Sequence, residues 1–124
     1  MRCLWLTNTW LLTCVYSAAD EYIVRYFDKY VRGPGRGAVS VLRVYDTERR
    51  TSTVNDMVKR YCLLSEDRSR FLAPARHDVT GHKIVVTTLV TSLVLTELTV
   101  KGHFTHIFVD EAAQVRCSLF CVVV

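Results

Sequence analysis

The sequence lacks three features that would each assign it to a special class of protein. It has only two prolines among 124 residues and no low-complexity tract, and half of its residues are hydrophobic, so a disordered chain is not expected. It has no run of about 18 apolar residues, so no membrane span is predicted. It has no internal repeat of solenoid length either. The composition therefore predicts one globular domain of ordinary size, or an incomplete piece of a larger one.

Cysteine usage and net charge bear on the cellular compartment of the protein and on its partners. The five cysteines are an odd number with no repeated spacing, which is not the pattern of a disulfide framework. A reducing compartment fits this pattern better, and we expect the cytoplasm, with the nucleus as the alternative. The net charge of +4 permits a polyanionic partner but is too small to argue for one alone.

The first nineteen residues imitate a secretory signal. Met1-Arg2 could be its charged start, residues 4–15 its apolar stretch and Ser17-Ala18-Ala19 its cleavage site. Polar residues interrupt that stretch, Thr7 and Asn8 among them, and a signal peptide requires it to be continuous. A small secreted protein, cleaved after Ala19, therefore stays only as an alternative.

The remaining pattern alternates helices and strands. Spacings of three and four predict an amphipathic helix over 18–31, and Gly33-Pro34-Gly35-Arg36-Gly37 ends it. Strands are predicted at 40–45, at 83–88 and, as a buried strand, at 105–109, with helices near 54–61 and at 89–98. Strand, crossover and strand at this spacing predict an α/β fold with a parallel sheet and flanking helices.

Two adjacent carboxylates, Asp110 and Glu111, follow the last predicted strand directly. In open α/β sheets ligands bind beyond the carboxyl ends of the strands, so these acids fall where chemistry is usually placed. An apolar strand followed by Asp-Glu is the Walker B arrangement of nucleotide hydrolases, in which the first acid holds Mg²⁺ and the second polarises the attacking water. The alternative is a helix N-cap, where acid stabilises free N–H groups.

The extended stretch "FTHIFVDEAAQ", at 104–114, resembles motif II of superfamily 1 helicases of the Upf-like group, which includes the Mov-ten and helicase with zinc finger proteins. "SAADEYI" at 17–23 resembles their motif Ia, and "HKIVVTTLVTS" at 82–92 resembles a strand that ends near bound nucleic acid. The resemblance covers residues 17–114, a partial RecA-like domain from motif Ia to motif II. Residues 1–16 and 115–124 do not match the family pattern.

The resemblance implies an ATP-dependent helicase that couples ATP hydrolysis to movement on single-stranded nucleic acid, with ATP and Mg²⁺ as cofactors. It favours RNA as the nucleic acid, with DNA as the alternative. It implies that Asp110 binds Mg²⁺, that Glu111 is the catalytic carboxylate, and that Gln114 lies near the terminal phosphate. Ser17, Thr87 and Thr88 lie in segments that approach nucleic acid in the family. Hydroxyls that satisfy nearby backbone groups are the alternative for these three.

The family's P-loop, a glycine-rich turn ending in Gly-Lys-Ser or Gly-Lys-Thr, is not among the 124 residues. "GPGRG" cannot replace it, because it has no Lys-Ser/Thr and a proline takes the place of a needed N–H donor. We therefore expect this chain alone to be inactive as an ATPase.

Two other interpretations of the sequence remain. The first is a non-catalytic, truncated product that binds nucleic acid weakly through arginines. Those arginines are Arg25, Arg32, Arg36, Arg43, Arg49 and Arg50. The second is a zinc site built from His103, His106, Cys117 and Cys121, which the expected burial of His106 disfavours.

Overall fold

The computed structural model describes residues 9–13, 16–27, 29, 39–99 and 101–110. These residues form four strands and four α-helices, joined by a π-helical turn and a single 3₁₀ turn. The strands are β1 (Trp10–Thr13), β2 (Val41–Arg43), β3 (Ile84–Thr87) and β4 (His106–Val109). The helices are α1 (Tyr16–Tyr22), α2 (Asp56–Lys59), α3 (Arg76–Thr80) and α4 (Leu89–Leu98), with the π-helical turn at Ile23–Phe27 and the 3₁₀ turn at Thr51–Thr53.

The four strands form one parallel sheet in the order β2-β3-β1-β4. This confirms the predicted α/β fold with a parallel sheet and flanking helices. β1 lies inside the sheet between β3 and β4, although the sequence patterns assign no strand before residue 17. Parallel neighbours end at the same edge, so the carboxyl ends of all four strands meet there.

Alternating side chains of the strands pack into two hydrophobic clusters, one on each face of the sheet. On the first face Val41, Ile84 and Val86 pack against Ala19 and Ile23 of the α1 segment. On the second face Leu11, Leu42 and Val85 pack against Val79 of α3 and Leu95 of α4. All four residues of β3 are buried, as expected for an apolar strand covered on both sides.

The predicted helix at 18–31 is confirmed in its first half. α1 begins two residues earlier, at Tyr16, and after Tyr22 the backbone widens into the π-helical turn. Ala19 and Ile23 are fully buried, as their spacing predicts, whereas Tyr26 is exposed. Because α1 begins at Tyr16, Asp20 and Glu21 lie in its second turn.

The helix predicted at 89–98 is confirmed as α4 with the same bounds. Val90 and Val94 on its outer side are exposed. The helix predicted near 54–61 is shorter, because α2 covers only Asp56–Lys59. Asn55 caps α2 by accepting a hydrogen bond from the Met57 N–H at 2.8 Å.

The prediction that residues 105–109 form a buried strand is wrong in its burial. β4 lies at an edge of the described sheet and pairs there with β1. His106 and Phe108 are exposed, and Ile107 and Val109 are only half-buried. Across the described ranges, no helix is long and apolar enough to cross a membrane.

Candidate functional site

The carboxyl edge of the sheet brings together residues from three strands that are distant in the sequence. Thr13 of β1 pairs with Thr87 of β3 on one side and with Val109 of β4 on the other. The backbone N–H of Asp110 donates to the carbonyl oxygen of Thr13 at 2.9 Å. This bond extends the parallel ladder by one residue, so it fixes the backbone of Asp110 at the edge where ligands bind in α/β proteins.

The side chain of Asp110 is half-buried and contacts helix α1. The Tyr22 hydroxyl donates a hydrogen bond to Oδ2 of Asp110 at 3.1 Å. Asp110 therefore lies between the end of β4 and the helix that starts at the motif Ia segment. Glu111 and Gln114, predicted to act beside it, lie outside the described residues.

The two threonines at the end of β3 are buried. Thr88 is the N-cap of α4, and its hydroxyl oxygen accepts from the Thr91 N–H at 3.3 Å and donates to the Thr91 hydroxyl at 2.9 Å. The hydroxyl of Thr87 is fully buried and has no hydrogen-bond partner within the described part of the chain. Their contact with nucleic acid stays a prediction. Ser17 lies in the first turn of α1, and its side chain is outside the described part.

A buried ion pair involves β2, the outer strand on the other side of the described sheet from β4. The guanidinium of Arg43 on β2 is fully buried, and its Nε donates to Oδ1 of Asp20 on α1 at 3.0 Å. Its Nη1 donates to the carbonyl oxygen of Val44 at 2.9 Å. The Tyr45 hydroxyl donates to the same Asp20 oxygen, and the guanidinium carbon lies 4.0 Å from the centre of the Tyr45 ring.

These contacts contradict the prediction that Arg43 binds nucleic acid, because its charge is neutralised inside the protein. Desolvation by burial raises the pKa of Tyr45 well above its usual range, and the Asp20 carboxylate raises it further, while the Arg43 charge opposes them. The Tyr45 phenol therefore stays protonated and remains a hydrogen-bond donor to Asp20.

The other arginines of the proposed basic set differ in their surroundings. Arg25 is exposed and pairs with Glu21 at 2.5 Å, four residues earlier on the same segment. Arg49 lies with its guanidinium carbon 5.3 Å from the Tyr45 ring centre, and Arg50 is exposed. Arg32 and Arg36 lie outside the described residues. Two of the four described members, Arg25 and Arg43, are therefore paired with carboxylates.

At the carboxyl edge, Asp110 offers an oxygen ligand that suits Mg²⁺. The described residues do not offer a site in which protein side chains alone surround the ion. Asp110 supplies an oxygen ligand, and Mg²⁺ usually takes one or two carboxylates and completes its shell with water and phosphate oxygens. Among residues 9–13, 16–27, 29, 39–99 and 101–110, no group of three or more His, Cys, Asp or Glu side chains could hold a metal ion. His103 and His106 therefore have no third ligand in those ranges, and Cys117 and Cys121 lie outside them.

Two contacts at the site were missed by the sequence analysis. Arg43 carried a usable signal, because a charged residue inside the apolar run "VLRVY" has to be paired when it is buried. Tyr22 carried none, since its partner Asp110 lies 88 residues later in the sequence.

Comparison with known proteins gives three informative relatives. The chain is 44% identical over 110 residues to the probable helicase with zinc finger domain of Homo sapiens, a match that covers 86% of this chain and 6% of that protein. It is 40% identical over 109 residues to the human 3'-5' exoribonuclease HELZ2, covering 86% of this chain and 4% of HELZ2. It is 36% identical over 115 residues to the human RNA helicase Mov10l1, covering 88% of this chain and 8% of Mov10l1.

The chain thus spans less than a tenth of the length of these relatives. No protein-family model matches it, and no solved structure matches it. The relatives carry the names that the motif II, motif Ia and strand resemblances indicate. In the described sheet β3 and β4 lie on either side of β1. The chain is therefore a homologue of a segment of the helicase with zinc finger and Mov10-like proteins, within the Upf-like helicases.

Proposed function

We propose that this chain is part of the ATP-hydrolysing core of a helicase that moves on single-stranded RNA. One observation carries the proposal. Asp110 is the first residue after a parallel strand, and its backbone is fixed to Thr13 at the carboxyl edge of the sheet, where the "DEAAQ" pattern needs it. RNA is favoured over DNA because one of the relatives is named an RNA helicase and another an exoribonuclease.

In this mechanism each predicted residue has one role. Asp110 would hold Mg²⁺, and the bound ion would neutralise charge on the phosphates of ATP. Glu111 accepts a proton from the attacking water, and Gln114 senses the terminal phosphate. Ser17, Thr87 and Thr88 lie in segments that approach the nucleic-acid backbone, and the protein works in the cytoplasm.

The isolated chain should hydrolyse ATP poorly, because its 124 residues contain no Gly-Lys-Ser or Gly-Lys-Thr sequence to hold the phosphates. A chimera supplies the missing part. The matched segment of the human probable helicase with zinc finger domain is replaced by the corresponding residues of this chain, and release of radiolabelled phosphate is measured with and without single-stranded RNA.

The chimera should keep the RNA-stimulated turnover of its parent, and Glu111→Gln should reduce that turnover to background. Thr96→Ala, on the exposed side of α4, is the matched control and should leave the rate unchanged. Turnover that survives Glu111→Gln would reject the catalytic role. RNA binding that falls steeply with salt, in a chimera without turnover, would favour the non-catalytic alternative.

A further inference from the structure

Helix α1 contacts both edges of the sheet through side chains that are two residues apart. Asp20 binds Arg43 of β2, and Tyr22 binds Asp110 after β4. β2 and β4 are the two outer strands of the described sheet. The helix therefore lies across one face of the sheet, with one polar contact at each end of that crossing.

The helix geometry explains why both contacts are possible at once. Successive residues of an α-helix are about 100° apart, so Asp20 and Tyr22 project about 80° to either side of the stripe made by Ala19 and Ile23. Ala19 and Ile23 are fully buried against the sheet. The buried stripe sets the rotation of the helix, and this rotation directs Asp20 to one edge and Tyr22 to the other.

The Arg43 side of this crossing is rigid. Asp20 accepts hydrogen bonds from both Arg43 and Tyr45, and the Arg43 guanidinium is fully buried. Moving α1 away from this position would leave a buried charge without its partner, which is costly. Tyr22 is therefore held in place by contacts that are independent of Asp110.

A carboxylate that binds a metal ion needs its own orientation fixed, and groups that hydrogen-bond to a metal ligand supply this. An ionised carboxylate offers about four lone-pair sites, and the hydrogen bond from Tyr22 occupies only one of them. The Asp110 backbone is fixed by the Thr13 carbonyl, and the Tyr22 hydroxyl fixes the side chain. Together these two bonds restrain the position of the carboxylate.

We propose that Tyr22 is a positioning residue for Asp110, orienting the carboxylate that takes the divalent cation from the helix that begins at the motif Ia segment. The inference rests on the proposed function, because it needs Asp110 to be the cation ligand. It adds a residue that the motif II pattern does not contain, and it ties the cation ligand directly to α1.

The test uses the 124-residue chain with Mn²⁺ as the probe, and binding is measured by electron paramagnetic resonance of the free ion. Asp110→Asn should remove the site. Tyr22→Phe, which deletes only the hydroxyl, should weaken Mn²⁺ binding by about tenfold. Tyr26→Phe is the matched control, since Tyr26 is exposed and its ring centre lies 6.0 Å from that of Tyr22, and it should bind Mn²⁺ as the unmodified chain does.

A second readout separates positioning from a general loss of structure. With tyrosine labelled at the ring carbon that bears the hydroxyl, the Tyr22 resonance should shift on Mg²⁺ titration, and this shift should disappear in Asp110→Asn. Unchanged Mn²⁺ binding in Tyr22→Phe, with loss in Asp110→Asn, would overturn the role of Tyr22 alone. Unchanged binding in Asp110→Asn would overturn the cation role of Asp110, and the inference with it.

Discussion

The two outer strands of the sheet meet the same helix in opposite environments. At β2, Arg43 and Leu42 are almost completely buried, and the Arg43 charge is neutralised by Asp20. At β4, Phe108 and His106 are exposed, and Asp110 is half-buried beside Tyr22. The β2 edge is therefore buried and electrostatically paired, whereas the β4 edge is partly exposed to solvent. Arg43, which is buried, has a structural role at one edge, and Asp110, which is half-buried, is a candidate ligand at the other. The difference in burial distinguishes the two roles.

The largest loss of stability should come from removing the Asp20 carboxylate, which pairs with Arg43 of β2. Asp20→Ala leaves the buried guanidinium of Arg43 without its counter-charge, which should lower the free energy of unfolding by about 4 kcal/mol. Urea unfolding followed by circular dichroism measures this. The double variant Asp20→Ala with Arg43→Met should recover most of the loss, because no uncompensated charge remains.

The matched control is Glu21→Ala, the neighbouring acid on α1. Its ion pair with Arg25 is at the surface, where such pairs contribute less than about 1 kcal/mol. Equal losses for Asp20→Ala and Glu21→Ala would mean that the Arg43 pair is not a buried structural pair.

Large-to-small substitutions should separate the two edges directly. Leu42→Ala on β2 removes a side chain that is 2% exposed and should cost about 3 kcal/mol of unfolding free energy. Phe108→Ala on β4 removes a larger side chain that is 46% exposed, and it should cost less than about 1 kcal/mol. A greater loss for Phe108→Ala in the same urea experiment would contradict the assignment of β4 as the open edge.

A smaller effect on stability is expected at Cys62, whose backbone forms an isolated parallel β-bridge with that of Arg43. Desolvation by burial raises its pKa from 9.0 to about 12, while the Arg43 charge opposes the rise. The folded protein keeps this thiol protonated when the unfolded chain has lost the proton, so stability is complete below pH 9 and falls as the pH rises towards 12. At pH 10 the loss should be about 1 kcal/mol.

Urea midpoints at pH 8 and pH 10 measure this loss, and Cys62→Ala should reduce the difference between them. Tyr45 contributes in the same direction, because its pKa is also raised, so part of the difference should remain in that variant. A midpoint that rises between pH 8 and pH 10 would contradict the buried, protonated thiol.

Local patterns predicted the elements whose burial follows from their own sequence. The uninterrupted apolar residues of β3 were sufficient, since all four residues of the strand are buried, and α4 has the predicted bounds. The position of Asp110 at the carboxyl edge followed from the strand before it and from the rule for parallel sheets. These predictions needed no knowledge of distant contacts.

Predictions failed where a distant partner decides the outcome. β4 has an apolar sequence, but its exposure depends on which strands lie beside it, and Trp10–Thr13 became a strand through pairing with residues far along the chain. Arg43 was predicted to be a surface cation, but it is buried and paired with Asp20, which lies 23 residues earlier in the sequence. Tyr22 had no local signal, because only the crossing of α1 over the sheet brings its hydroxyl to Asp110.

The place of β1 inside the sheet has a consequence for how the chain acquires its structure. β1 comes before the other three strands in the sequence, but its described partners are β3 and β4, which come after two long intervening segments. Such non-local pairing closes large loops and slows folding. At the ribosome Trp10–Thr13 is made before both of its partners in the described sheet, Ile84–Thr87 and His106–Val109. This interior strand can therefore complete its described pairing only after about ninety further residues have been added.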